Sequence, residues 1–136
     1  MEHRPDPAHR CIIVIDHNDD SRLILSDQLR AMGYEVHAED NGVSGLARLA
    51  GELSEGHPLG LIVELDMPVL GGMAIVQEVR DRHPDLPLII MAHSEGLSRL
   101  RRALQIGANE YLIKPFSFEL LKRKCQQVFQ PKNGIA

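Results

Sequence analysis

The chain lacks tryptophan, has only two cysteines, and contains no apolar run near the roughly 20 residues that a helix needs to span a bilayer. Its polar first ten residues contain no targeting segment. Cys11 and Cys125 have no metal-ligand spacing, and in a chain without a secretory signal they are predicted to be reduced, structural cysteines. We therefore expect a cytoplasmic protein with no membrane partner.

An excess of basic residues is also missing. The formal net charge is -4 and the pI is near 5.9, and basic residues cluster only at 99–102 and 122–124. Proteins that bind a phosphate backbone gather lysines and arginines on one face, so we expect no nucleic-acid partner. The 136 residues, of which 43% are hydrophobic, fit one globular domain.

Strand-like and helix-like hydrophobic patterns alternate along the chain, which predicts βα units and a parallel sheet. The predicted strands are 12–15, 34–38, 61–65, 88–91 and 109–113. The runs 12–15, 61–63 and 88–91 are apolar without alternation, so they are predicted to lie in the middle of the sheet. The domain is placed at 11–130, with loose tails at 1–10 and 131–136.

Five helices are predicted between and after these strands. Asp19 or Asp20 is expected to cap the first, and Asn41-Gly42 to begin the second, which gives way to a loop near Gly51. Two further helices are expected over 72–82 and 97–106, and Ser117 is expected to cap the last. The buried positions predicted for the first two helices are Ile24, Leu25, Leu29, Met32, Val43, Leu46, Ala47, Leu49 and Ala50.

Three strands deliver a charged residue at their carboxyl end: Asp16, Glu64 and Lys114. The carboxyl ends of parallel strands meet at one edge of the sheet, where open α/β sheets place their ligand sites. Glu64 begins the string Glu-Leu-Asp-Met-Pro-Val-Leu-Gly-Gly, which ends at Gly72, and Lys114 begins Lys-Pro-Phe. With Asp16, these motifs resemble the response regulator receiver domain, and the resemblance covers residues 11–130.

The resemblance implies an α/β fold of the (βα)5 type, a doubly wound, five-stranded parallel sheet in the flavodoxin-like order 2-1-3-4-5. It implies a role in two-component phosphorelay signal transduction. It also places Glu64 at the phosphoacceptor position and Lys114 at the phosphate contact, with a cis bond to Pro115. The remaining assigned positions are the acidic pocket of Asp16, His17 and Asp66, and the switch residues Ala92 and Tyr111.

Three of these positions depart from the family pattern. His17 replaces an acid that would bind magnesium, so magnesium at Asp16, Glu64 and Asp66 is expected to be weak or lost. Glu64 carries its carboxylate about 1.5 Å farther out than aspartate would, which disturbs in-line phosphoryl transfer. Ala92 has no hydroxyl for a phosphoryl oxygen.

We therefore predict a pseudo-receiver, with no enzymatic activity and no cofactor beyond weak magnesium, that acts as a phosphorylation-independent protein-interaction module. The longer carboxylate of Glu64 is expected to reach toward Lys114 and to imitate the activated state. Two alternatives stay open: an orthodox receiver phosphorylated on Glu64 or Asp66, and a transition-metal site. The latter would use Asp16, His17, Glu64 and His93.

Partners follow only from the resemblance: a histidine kinase, a phosphotransfer protein or a downstream effector. The fourth helix, fifth strand and fifth helix are the surface expected to dock partners or to form a homodimer. Arg99, Arg101 and Arg102 on the fourth helix are predicted to be a solvated face. The side chain of Asp66 is likewise predicted to be solvated.

Overall fold

Strands and helices alternate along the whole part of the chain that the computed structural model describes, residues 11–56 and 58–129. The tails predicted at 1–10 and 131–136 lie outside these residues, as does Gln130. The elements are β1 (Cys11–Ile15), α1 (Asp19–Ala31), β2 (Glu35–Glu39), α2 (Gly42–Glu55), β3 (Gly60–Glu64), α3 (Gly72–Arg82), β4 (Leu88–His93), α4 (Leu97–Ile106), β5 (Glu110–Lys114) and α5 (Phe118–Val128). No helix among them is long and apolar enough to cross a membrane.

The five strands form one parallel sheet in the order β2-β1-β3-β4-β5. The predicted fold and strand order are therefore confirmed. β1 and β3 are buried at every position, and β4 at all but its last, as the uninterrupted apolar runs predicted for central strands. Ile15 lies beside Val63, Glu64 beside Met91, and His93 beside Lys114, so the strands end together at one edge.

Helices cover both faces of the sheet. Leu25 and Leu29 of α1 pack with Leu121 and Cys125 of α5 on one face. On the other face, the buried side chains of α2, α3 and α4 are Leu49, Ile75, Val76, Val79, Leu100 and Ala103. The two cores hold the strands in place, so the loops at the carboxyl edge are built on a rigid support.

The first helix begins one or two residues earlier than predicted. Its N-cap is Asn18, whose Oδ1 accepts a hydrogen bond from Ser21 N at 2.8 Å, so the expectation of Asp19 or Asp20 was wrong. Ile24 is 58% exposed, although it was predicted to be buried. Leu25 and Leu29, four residues apart, form the buried stripe, and Ile24 lies about 100° around the helix from Leu25.

The second helix approaches the sheet through glycine. Gly42 and Gly45 are buried with Leu49, whereas Val43, predicted to be inward, is 64% exposed. A Cβ on Gly45 would lie 2.7 Å from Cγ1 of Ile15, so glycine is what allows α2 to lie this close to β1. The helix also continues through Gly51 to Glu55, where a loop was predicted.

Val69, in the loop between β3 and α3, has a φ of 66° and a fully exposed side chain. This left-handed conformation is unfavourable for a β-branched residue and better tolerated by asparagine. Val69→Asn is therefore expected to raise the free energy of unfolding by about 1 kcal/mol, measured by urea denaturation. Val43→Asn is the matched control on a helix surface, where the two residues have similar propensity and little change is expected. Equal effects of both substitutions would contradict the strain at Val69.

Candidate functional site

A lysine lies between two buried carboxylates at the carboxyl edge of the sheet. Lys114 Nζ, at the end of β5, is 2.8 Å from Asp16 Oδ2 and 2.5 Å from Glu64 Oε1. Both carboxylates are almost completely buried, and the lysine side chain is 10% exposed. The structure thus brings together the three charged residues that follow the apolar runs of β1, β3 and β5.

Glu64 has both carboxylate oxygens in contact with protein atoms. Oε2 accepts a hydrogen bond from the backbone N of Asp66 at 3.1 Å. Oε1 contacts Lys114 as an ion pair, at an angle that does not meet hydrogen-bond geometry. No other donor among the described residues reaches this buried oxygen. The carboxylate is therefore held chiefly by charge, with Lys114 as its partner.

Asp16 is fixed by the loop that leads into α1. Its Oδ1 accepts from Asn18 N at 3.0 Å, and its backbone oxygen accepts from Arg22 Nη1 at 2.9 Å. Arg22 also contacts Asp19 at 2.6 Å, so the guanidinium joins the first turn of α1 to the end of β1. Asp16 therefore presents Oδ2 to Lys114 from a rigid support.

The pKa of Lys114 depends on two opposing effects, burial and the contacts with the two carboxylates. Burial alone would lower this pKa, but the close contacts and charge interactions with Asp16 and Glu64 outweigh burial and raise it above its ordinary value. The ammonium is therefore charged at neutral pH. It compensates two carboxylates in an environment where an unpaired charge would be strongly unfavourable.

Asp66 and Arg99 form an ion pair that joins the loop after β3 to α4. The side chain of Asp66, predicted to be solvated, is only 26% exposed, whereas Arg99 is 52% exposed, as predicted for a solvated face, and is nevertheless paired. The guanidinium of Arg99 reaches Asp66 from the first turn of α4. Asp66 is partly buried, so the pair is only partly screened by solvent.

The remaining predicted residues surround this centre at different depths. His17 is exposed. Ala92 is completely buried. Tyr111 is 37% exposed, and Lys124 Nζ lies 4.6 Å from the centre of its ring. The Lys114-Pro115 bond is cis, as the resemblance implied.

His93 is closer to the site than its exposed position suggests. One potential ligand atom each from Glu64, Asp66 and His93 lies within 4.8 Å of the other two. Asp16 and His17, the other residues proposed for a transition-metal site, do not belong to this group. The structure thus offers a different three-residue set from the one predicted.

Sequence reasoning missed Asn18, Arg22 and Arg99 as supporting residues. Asn18 has a signal in its sequence, since asparagine before a predicted helix is a favoured N-cap. Arg22 and Arg99 have none, because an arginine on a helix surface is usually solvated and only the fold places these two against the site. Long side chains of this kind reach across elements that sequence spacing does not relate.

Comparison with known proteins places these features in a family. The model of the response regulator receiver domain matches residues 12–126. Chemotaxis protein CheY1 of Helicobacter pylori is 30% identical over 120 residues, covering 86% of this chain and 94% of that protein. A probable transcriptional regulator, ycf27 of Cyanidium caldarium, is 28% identical over 131 residues, or 96% of this chain. The chain spans about half the length of such transcriptional regulators, 50% in this example.

Solved structures agree with the fold. A response regulator receiver domain protein from Clostridium thermocellum superposes with a TM-score of 0.80 at 26% identity, covering 86% of this chain and 91% of that one. Chemotaxis protein CheY4 of Vibrio cholerae gives a TM-score of 0.76 at 26% identity, covering 87% of this chain and 97% of that one.

Proposed function

Because the chain belongs to the response regulator receiver domain family, we propose that it is a pseudo-receiver within two-component signalling, a module that binds a protein partner without being phosphorylated. In this proposal Glu64 replaces the phosphoacceptor and holds the site in one state. The module has no catalytic step of its own, and its output is the binding of a partner.

The observation that carries the proposal is the contact of Glu64 with Lys114 at 2.5 Å. In-line attack on a phosphodonor needs a nucleophilic oxygen that is free and aligned with the incoming phosphorus. One oxygen of Glu64 is paired with the ammonium and the other accepts from the amide of Asp66. Attack would require the carboxylate to leave both partners. This requirement supports the proposal that Glu64 occupies the site without reacting there.

The switch region supports the same proposal. Ala92 has no hydroxyl to bind a phosphoryl oxygen, so a phosphoryl group would have no side-chain contact at this position. The ion pair of Asp66 with Arg99 already connects the loop after β3 to α4. This link needs no phosphoryl group, and in this proposal it holds α4 in the arrangement that a partner recognises.

Magnesium fits the site poorly, and we propose that its binding is weak and that no other cofactor is required. The ion demands oxygen ligands in near-ideal octahedral geometry. Here the carboxylates of Asp16 and Glu64 both contact Lys114, and Asp66 contacts Arg99. His17 offers nitrogen in place of oxygen and is exposed.

The surface formed by α4, β5 and α5 is the proposed docking face for an effector or a second copy of the chain. Leu97 and Tyr111 expose apolar surface there, and Arg101 and Arg102 are exposed on the same helix as Leu97. Receiver domains interact with kinases and effectors, and a face that combines apolar area with arginine suits a partner with acidic residues around an apolar centre.

The test is intact mass after incubation with magnesium and acetyl phosphate, with an ordinary receiver as positive control. We expect no gain of a phosphoryl group in the unchanged protein or in Glu64→Asp. The triple variant His17→Asp, Glu64→Asp, Ala92→Thr is the matched comparison, and we expect it to gain one group. A phosphoryl gain by the unchanged protein would refute the proposal and require mapping of Glu64 against Asp66.

A transition-metal site is the second candidate function, favoured by the convergence of Glu64, Asp66 and His93. Imidazole and carboxylate donors suit zinc. The ion pairs of Glu64 with Lys114 and of Asp66 with Arg99 compete with this use. Zinc titration of the unchanged protein and His93→Ala tests it, because a site of this kind would lose affinity in the variant.

A further inference from the structure

A second cluster of potential metal ligands lies at the other end of the sheet from Lys114. Cys11 of β1, His37 of β2 and Glu52 of α2 place one ligand atom each within 4.8 Å of the other two. His37 Nε2 is 3.6 Å from Glu52 Oε2. Neither the receiver family nor the pseudo-receiver proposal gives these three residues a role.

The fold explains why the cluster forms. In the parallel pair β1 and β2, Cys11 lies beside Glu35 and Ile13 beside His37. Alternate residues of a strand point to the same face, so Cys11 and His37 share a face of the sheet. α2 covers that face, and its last turn brings Glu52 close to both. Because the three ligands come from three elements, no sequence spacing signals them.

We propose that Cys11, His37 and Glu52 form a binding site for a divalent transition metal of the zinc class. Thiolate, imidazole and carboxylate are the donors that zinc takes, with bonds of about 2.0 to 2.3 Å. Tetrahedral bonds of that length place donors about 3.3 to 3.6 Å apart, so the side chains need to move inward by only about an ångström. The fourth position is left for water.

The charges of the cluster suit a divalent cation. A thiolate and a carboxylate balance the two positive charges, so the site becomes neutral where Cys11 is buried. Burial, with Glu52 and Glu35 nearby, raises the pKa of the Cys11 thiol to about 12. The thiol is therefore protonated without metal, and binding breaks its S–H bond and releases the proton to the buffer.

A simple ion pair between His37 and Glu52 is the competing explanation. Arg48 belongs to the same network, with Nη1 3.9 Å from Glu52 Oε2 and Nε 3.2 Å from Glu39 Oε2. An ion pair accounts for His37 and Glu52, but it gives no role to the thiol that completes the set of donors. Arg48 keeps its contact with Glu39 when Glu52 turns to a metal.

The site is separate from the acidic pocket. Cys11 begins β1 and Asp16 follows its end, a separation of about 17 Å at strand spacing. A metal at Cys11 would connect β1, β2 and α2, and it would stabilise the folded state by mass action. Its binding does not depend on whether Glu64 accepts a phosphoryl group, so the two proposals fail independently.

The test is cobalt titration of the full, reduced chain without a histidine tag, monitored through the near-ultraviolet thiolate-to-cobalt charge-transfer band. The chain has seven histidines, so only a readout that requires thiolate identifies this site. We expect the band to saturate at one equivalent, to disappear on addition of zinc, and to be absent from Cys11→Ala. We expect His37→Gln and Glu52→Gln each to weaken binding at least about tenfold.

Two matched controls keep the test specific. Cys125→Ala removes the other buried thiol, on the opposite face, and His93→Ala removes the histidine of the acidic pocket; both are expected to keep the band. His37 is partly exposed, so His37→Gln tests the site even where Cys11→Ala does not fold. Absence of the band, its persistence in Cys11→Ala, or full affinity in folded His37→Gln, checked by far-ultraviolet circular dichroism, would overturn the proposal.

Discussion

Exchange of Lys114 for methionine is expected to lower the free energy of unfolding by about 3 to 5 kcal/mol. Lys114 is the positive charge next to the buried carboxylates of Asp16 and Glu64, and its removal leaves both without their cation. Methionine has a similar length and keeps the apolar part of the side chain, so the loss of stability reports the removal of the charge alone. Urea denaturation at neutral pH measures the change.

Lys122→Met is the matched control, because Lys122 is an exposed lysine on α5 and its loss is expected to change stability by less than about 0.5 kcal/mol. A decrease of less than about 1 kcal/mol in the free energy of unfolding for Lys114→Met would mean that the two carboxylates are compensated in another way, as solvent compensates exposed charges. That result would also remove the main physical support for treating Glu64 as an occupant of the site.

The pH dependence of the free energy of unfolding gives a second test of the contact between Lys114 and the two carboxylates. The pKa of Lys114 is raised above its ordinary value of 10.5 in the folded protein. The folded state therefore binds this proton more tightly, and the resulting stability is fully present below pH 10.5 and is lost as pH rises through the folded pKa. Lys114→Met is expected to lack this alkaline loss, which a series of unfolding curves above pH 9 would detect.

The sheet was predictable from sequence because its signal is local. The apolar runs of β1, β3 and β4 predict burial on both faces of the sheet. The charged residue at or just after the end of β1, β3 and β5 marks the edge where a site forms. The resemblance then supplied the strand order. These features depend on residues adjacent in the chain, which is why they could be read without the structure.

The helix faces and the outer contacts were less predictable because they depend on packing. Val43 follows the hydrophobic period of α2, yet the close approach of Gly45 to Ile15 turns Val43 to the solvent. The pair of Asp66 with Arg99 joins two residues 33 positions apart that each look solvated alone. The convergence of Cys11 with His37 and Glu52 has the same origin, since three elements meet there.

Gly72→Ala is expected to lower the free energy of unfolding by about 2 to 3 kcal/mol, despite the better helix propensity of alanine. Gly72 begins α3 directly over the end of β3, and its N donates to Leu65 O at 3.2 Å. A Cβ there would lie 2.5 Å from Cα of Leu65 and 2.9 Å from the carbonyl carbon of Glu64. Both are backbone atoms at the end of β3 or just after it, so α3 or the strand end has to move.

Gly51→Ala is the matched control with the opposite expected sign. Gly51 lies on the exposed side of α2, where a Cβ would meet no atom within 4 Å, so alanine is expected to raise stability by about 0.5 to 1 kcal/mol. Urea denaturation of both variants separates close packing from helix propensity, and stabilisation by Gly72→Ala would contradict the packing argument. Since movement of the strand end would shift Glu64 relative to Lys114, the contact of α3 with β3 also supports the geometry of the site.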